Sequence, residues 1–254
     1  MQLNDELAIE TQKQVLFNTQ KACTNALEKI LNHQQASHAL AVFDSNQPCW
    51  RHNLYEGYKK GRKKMSPHLA DELPNIQDAF LQLGVDSLIS EEDEADDLIA
   101  TLATKMSLHG QHATIVSTDK GFLSLLSPTV HVYDYFNRRY LDEQHVKDKP
   151  AQLIDLWTLT GDSTNKIPGV AGIGQITASS LLNQYGSLAA ILQSNEIKPA
   201  IKEKLDNSTE QIALSRKLLT LKQNIPLGFN LKDIRLDTSL NKHENSNTPF
   251  VQVL

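Results

Sequence analysis

Apolar and polar positions alternate along this chain with two distinct periods. Val15, Ala22, Ala26, Leu27, Ile30 and Leu31 recur at helical spacing, which predicts an amphipathic helix over 3–33. The run His-Ala-Leu-Ala-Val-Phe at 38–43 is apolar, favours extended backbone and stops at Asp44. A helix is expected from Pro67 to Leu83, then a weak strand over 84–89. The acidic block Glu91 to Asp97 opens a helix running to about Leu108, with Leu98, Ile99, Leu102 and Met106 on its buried face. Two more strands follow, at 112–118 and 130–136. Helices alternating with short strands specify an α/β sheet flanked by helices. Strand patterning ends after Phe136, and from Pro150 glycines and prolines separate short helical stretches. The expected division is an α/β domain over 1–150 and a smaller helical domain over 151–254, ending in a polar, frayed stretch at 241–248.

Composition narrows the class. The chain has 254 residues, 40% hydrophobic and 22% charged, enough for a folded core and unlike a disordered chain. The net charge of −5 argues against a uniformly basic nucleic-acid binder, but the charges are segregated into blocks. Cys23 and Cys49 make no disulfide framework and no CxxC zinc motif. No apolar run approaches the roughly 20 residues needed to span a bilayer, and residues 1–6 lack the pattern of a secretory signal. A cytoplasmic, monomeric protein with no membrane partner is expected.

Three acidic positions lie at the ends of strands or the start of the next helix: Asp44, the group Glu94, Asp96 and Asp97 in Glu-Ala-Asp-Asp, and Asp119 in Ser-Thr-Asp-Lys. Ligands of open α/β sheets bind at the carboxyl ends of the strands. Carboxylates converging there need a cation, and Mg²⁺ prefers oxygen ligands and keeps waters. Such a site suits metal-assisted phosphodiester hydrolysis. Helix capping by the acidic block, and turn roles for Asp44 and Asp119, explain each position taken singly.

Residues 59–64 carry five basic side chains and follow Tyr58. Such a run attracts phosphate, and interleaved aromatics stack on unpaired bases. A solvated face is the bland alternative. The string Pro168-Gly-Val-Ala-Gly-Ile-Gly-Gln-Ile-Thr-Ala178 reads as two short helices joined by a Gly-Ile-Gly turn. Amides at the second helix's start suit phosphate oxygens without reading sequence. A plain capping loop is the alternative.

Taken together, Glu-Ala-Asp-Asp, Ser-Thr-Asp-Lys-Gly and Pro-Gly-Val-Ala-Gly-Ile-Gly, in that order, resemble the bacterial 5′-nuclease (flap endonuclease) family, and within it the Xni-like, or exonuclease IX, branch. The resemblance covers roughly residues 18–225. It implies a PIN-like α/β domain followed by a helix-hairpin-helix (H3TH) domain. The implied activity is Mg²⁺-dependent cleavage of the 5′ DNA flaps left by displacement synthesis. Carried over, Asp44, Glu94, Asp96, Asp97 and Asp119 are direct or water-mediated Mg²⁺ ligands, with Asp96 in direct contact, and Asp162 belongs to a second site. Tyr58, Lys59 and Arg62 match the arch that handles the single strand and the scissile phosphate. Gly172, Ile173, Gly174, Gln175, Ile176 and Thr177 match the DNA-contacting hairpin. Leu159, Thr160, Pro168, Val170 and Ile173 match a K⁺ site built of backbone oxygens.

Three departures stand beside the resemblance. Gly121 replaces an Asp, and Asn165 replaces the second Asp of the segment beginning Gly161-Asp162, so the second metal site is depleted. The family's first strand, with its terminal Asp, finds no counterpart before residue 38. Losing a central strand should cost more than a domain's roughly 5–15 kcal/mol of stability, which favours a start codon assigned too far downstream over a genuinely short chain. Two readings follow. One is a flap endonuclease, with feeble cleavage expected of these residues as they stand. The other is a DNA-junction binding protein with little or no cleavage. An RNA-directed nuclease ranks below both.

Overall fold

The computed structural model describes residues 2–45, 47–63, 65–141, 149–237 and 250–253, with 2–12 and 250–253 described by backbone alone. The chain opens with α1 (Gln2–Gln34), followed by β1 (His38–Asp44), the short α2 (Trp50–Leu54) and α3 (Pro67–Gln82). Next come β2 (Asp86–Ser90), α4 (Ala95–Leu108) and β3 (His112–Val116). A 3₁₀ turn over Lys120–Leu125 leads to β4 (Val130–Asp134) and β5 (Arg139–Leu141). After Pro150 the chain is helical: α5 (Leu153–Thr160), α6 (Gln175–Tyr185), α7 (Leu188–Gln193), α8 (Pro199–Asp206) and α9 (Thr209–Leu219). It then returns to the sheet as β6 (Phe250–Val253).

One sheet runs β2-β1-β6-β3-β4-β5, with every neighbouring pair parallel except β4 with β5. Alternation along β1 decides which layer each residue enters. Ala39 and Ala41 face α1 and the end of α3, packing with Leu27, Leu31 and Val85. Leu40 joins the larger core, where Ile99, Leu102 and Met106 of α4 meet Ala113 and Ile115 of β3 and continue into Leu153, Leu156 and Leu159 of α5. The helical part thus shares one apolar core with the sheet, and that fixes its position relative to the strand ends.

Some expectations are corrected. Among the described side chains of α1, the buried stripe lies in its second half: Leu27 and Ile30 are buried, whereas Val15 is 56% exposed. Strands do not end at Phe136. β5 forms a tight hairpin with β4, and β6 lies between β1 and β3, parallel to both. Its register sets Val253 beside Leu40 and Ile115, so β6 bridges the start of β1, below Asp44, and nearly the whole of β3. The sheet centre expected to stand open is filled there by a segment remote in sequence. Each of these strands is three or four residues long, too short to show a period. The stretch 241–248, read as frayed, lies outside the described residues.

Candidate active site

The start of α4 organises the site. Glu94 is its N-cap residue but makes no side-chain cap bond. The cap comes from the neighbouring strand instead: Asp44 Oδ1 accepts the Ala95 N–H at 2.7 Å. One carboxylate therefore both quenches an orphan helix amide and stands at the positive end of the helix.

Consecutive helical residues point in different directions, while residues three apart share a face. Glu94 and Asp97 consequently turn together into the protein, and Asp96 turns away from them. Asp97 is fully buried, and both its oxygens are engaged. Arg51 Nη1 and Nη2 donate to Oδ2 and Oδ1 at 2.7 Å each, Trp50 Nε1 donates to Oδ2 at 2.9 Å, and the Lys222 N–H donates to Oδ1 at 2.9 Å. Asp97 thus stands apart from the open carboxylates with which the sequence grouped it. Glu94 accepts from Arg51 at 2.6 Å, from the Tyr58 hydroxyl at 2.9 Å and from Lys59 Nζ at 2.5 Å.

Among the carboxylates of the site, Asp96 is the one whose ionisation is most disfavoured. Burial, followed by the charges of Asp119, Asp44 and Glu94, pushes its carboxyl up to about 7. Glu94 is also buried, but Lys59, Arg51 and the Tyr58 hydroxyl outweigh that and hold its carboxyl below the usual range. Asp119 is exposed, and its Oδ1 accepts the Gly121 N–H at 2.7 Å. A Cβ at position 121 would lie 3.1 Å from that oxygen. Among the described residues, no three acidic, His or Cys side chains stand close enough to hold a bare ion. The set fits a hard cation that keeps part of its water shell, because all the donors are oxygens, and burial with the neighbouring carboxylates disfavours the Asp96 charge unless a cation balances it.

These groups face a cavity of about 520 Å³ lined by Glu94, Asp96 and Asp119 on one side and by Asp162, Asn165 and Gln175 on the other. Asp162 closes its own loop. Its Oδ1 accepts the Thr164 N–H at 2.9 Å, and its Oδ2 accepts the Asn165 side-chain amide at 2.7 Å. Asn165, which stands where the resemblance has an Asp, thus holds Asp162 in place.

The basic segment departs from its expected use. Tyr58 is 5% exposed and donates to Glu94, so its ring offers no open platform for a base. Lys59 adopts φ 51°, a left-handed conformation uncommon for lysine, and its N–H bonds the Asn165 carbonyl at 2.9 Å. Arg62 and Lys63 are exposed, and Lys64 lies outside the described residues.

The hairpin approaches α5 backbone to backbone. A Cβ on Gly169 would meet the Thr160 carbonyl carbon at 2.3 Å, so only glycine fits. The Val170 N–H bonds the Leu159 carbonyl at 2.8 Å, which brings Leu159, Thr160, Pro168 and Val170 together. The Pro168 carbonyl accepts from buried Ser215 of α9 at 2.6 Å, and the Gly172 carbonyl accepts from Lys204 at 3.1 Å. Gly174 caps α6 without a side chain, and Ile176 is 88% exposed beside it. The tip of this part therefore presents helix-start amides and an uncovered apolar side chain.

Residues 3–151 match the family described as "5′-3′ exonuclease, N-terminal resolvase-like domain", and residues 148–242 match "5′-3′ exonuclease, C-terminal SAM fold". The chain belongs to the 5′–3′ exonuclease family. It is 68% identical over 245 residues to the flap endonuclease Xni of Colwellia psychrerythraea, covering 95% of this chain and 84% of that one. It is 46% identical to the flap endonuclease Xni of Vibrio cholerae over 88% of this chain and 89% of the relative. Among solved structures, bacteriophage T5 5′-exonuclease shares the fold at a TM-score of 0.68 and 20% identity, over 80% of this chain and 81% of that one. These likenesses favour the nuclease reading over a binding module.

Sequence reading found the open carboxylates of this 5′–3′ exonuclease family member but passed over Arg51, Trp50 and Lys222. The available signal was the spacing of Glu94 and Asp97, which puts two carboxylates on one helix face and calls for a buried cation opposite them.

Proposed function

We propose that the chain is a flap endonuclease that cuts DNA carrying 5′ flaps, using Mg²⁺ at Asp44, Glu94, Asp96 and Asp119. The observation that carries this reading is the single cavity whose walls join the acidic cluster of the sheet to the Asp162 loop and the start of α6. A strand held there has metal-binding carboxylates on one side and backbone-gripping amides on the other.

Bound Mg²⁺ would supply charge neutralisation on the scissile phosphate and a more acidic water. The protein's own groups do the rest. Asp96 and Asp119 hold the cation, Asp44 and Glu94 complete its surroundings, and Asp162 faces them as a weak second position. Lys59 and exposed Arg62 balance the phosphate charge that carboxylates alone would repel. Amides of Gly174, Gln175, Ile176 and Thr177 grip phosphates of the duplex, and Gly172 and Ile173 shape the turn that presents them. Carbonyls of Leu159, Thr160, Pro168, Val170 and Ile173 offer oxygen to K⁺, which would stiffen the hairpin beside the DNA. The division of labour falls near residue 150, with the protein acting as a cytoplasmic monomer.

A labelled duplex bearing a 5′ flap, a 3′ flap or no flap tests the reading. Cleavage confined to the 5′ flap and dependent on Mg²⁺ is the expected result. Equal cutting of all three, or tight binding without a cut, counts against it. Equal affinity in Na⁺ and K⁺ at matched ionic strength removes the K⁺ site.

A further inference from the structure

Arg51 is 2% exposed, and its guanidinium spends every nitrogen. Nη1 reaches Glu94 and Asp97, and Nη2 reaches Asp97. Nε donates to the Leu218 carbonyl at 2.8 Å, and Nη2 also donates to the Thr220 carbonyl at 3.4 Å. Those carbonyls lie at the end of α9 and on the strap that leaves it. The strap is fastened onward along α4: Lys222 N–H to Asp97, Lys222 Nζ to Asp93 at 2.6 Å, and Thr101 Oγ1 to the Lys222 carbonyl at 3.2 Å. One turn earlier α9 holds the hairpin, through Ser215 and the Pro168 carbonyl. An unbroken path therefore runs from the hairpin through α9 and Arg51 to Glu94.

The charges of this knot nearly cancel: Arg51 and Lys59 against Glu94 and Asp97. A buried ion pair gives little stability over an apolar replacement, because desolvation offsets attraction. What this one supplies is geometry. A guanidinium presents five donors in a rigid plane, and a lysine presents three from a point, so lysine cannot span two carboxylates and two carbonyls together.

We propose that Arg51 is a positioning residue: it fixes Glu94 at the mouth of the cavity and ties that carboxylate to the DNA-gripping hairpin through α9. The proposal rests on the flap-endonuclease reading of the same cavity. It assigns Arg51 no contact with substrate and no proton to move. Its effect passes through Glu94, and that makes it separable from simple support of the fold.

The test compares the unaltered chain with Arg51→Lys, Glu94→Gln and the double variant. Single-turnover cleavage of a 5′ flap in Mg²⁺ is measured beside affinity for the same flap in chelator. Arg51→Lys is expected to slow cleavage by about 10–100-fold with affinity in chelator unchanged. The double variant should be no more than about twofold slower than Glu94→Gln alone, since two residues acting through one carboxylate do not add. Losses that multiply, or cleavage and affinity that fall together, overturn the proposal. Should Arg51→Lys unfold, Trp50→Phe removes the indole bond to Asp97 and replaces with a smaller ring the indole face that lies 4.3 Å from the Arg51 guanidinium; a smaller slowing, absent in a Glu94→Gln background, supports the proposal, and no slowing overturns it. Mn²⁺ binding by calorimetry separates this from failure of the broader reading. If the unaltered chain does not cut, the flap-endonuclease reading fails. The positioning proposal then stands if Arg51→Lys weakens Mn²⁺ binding only when Glu94 is present, and falls otherwise.

Discussion

Asp44 closes the N-terminus of α4 from a different strand, its Oδ1 2.7 Å from the Ala95 amide. The same carboxylate raises the pKa of Asp96. It therefore serves two ends, and two substitutions separate them. Asp44→Asn keeps an acceptor for the amide but removes the charge, so thermal stability should hold while divalent-metal binding weakens. Asp44→Ala loses both and should cost about 1 kcal/mol of stability as well. Chemical denaturation and metal titration on the two variants check this.

Asp96 sets a pH dependence of the metal-free protein. Its carboxyl, raised from 3.8 to about 7, keeps a proton that the unfolded chain has already lost. The native state binds more protons between those values, so this group's contribution to stability declines as pH rises through that window. Urea melts in chelator at pH 5 and pH 8 should show the decline. Asp96→Asn should flatten it and raise stability at pH 8 while abolishing metal binding. A divalent cation should reverse the decline in the unaltered chain.

Gly121 lies beside Asp119, and a Cβ there points toward its Oδ1 at 3.1 Å. Gly121→Asp should add a carboxylate to the open cluster. Calorimetry should show tighter Mn²⁺ binding, and melts in chelator should show lower stability from added like charge. Unchanged binding together with unchanged stability would mean that the new carboxylate points away from the cluster.

The centre of the sheet yields a further prediction. β6 pairs its backbone with β1 and β3, at Val251 and its neighbours. Val251→Pro removes a ladder donor from a central strand. It should lower the melting temperature and speed hydrogen exchange in β1 and β3, and an unchanged exchange pattern would place β6 outside the working sheet.

Much of this was legible in the sequence, for identifiable reasons. β1, β3 and β4 show as apolar runs because they are buried between helix layers. Glu-Ala-Asp-Asp marks the site, but composition cannot say that Asp97 turns inward while Asp96 turns to the cavity; helical geometry sorts them only once the helix start is fixed at Ala95. Tyr58 looked like a stacking residue because it sits among lysines, yet its hydroxyl answers buried Glu94, a partner 36 residues away. β6 and the strap after α9 carry no local pattern, since β6 pairs its backbone with β1 and β3 and the strap is held by side chains of Arg51, Asp97 and Thr101, all distant in sequence.

The central claim is that one carboxylate-lined cavity cuts DNA gripped by the hairpin. Comparing the unaltered chain with Asp96→Asn on a 5′-flap substrate tests it most directly, with cleavage in Mg²⁺ and affinity in chelator measured on the same preparations. The account predicts that cleavage disappears in Asp96→Asn while affinity stays within about twofold. Cleavage that survives Asp96→Asn, or that proceeds equally well in chelator, would contradict it.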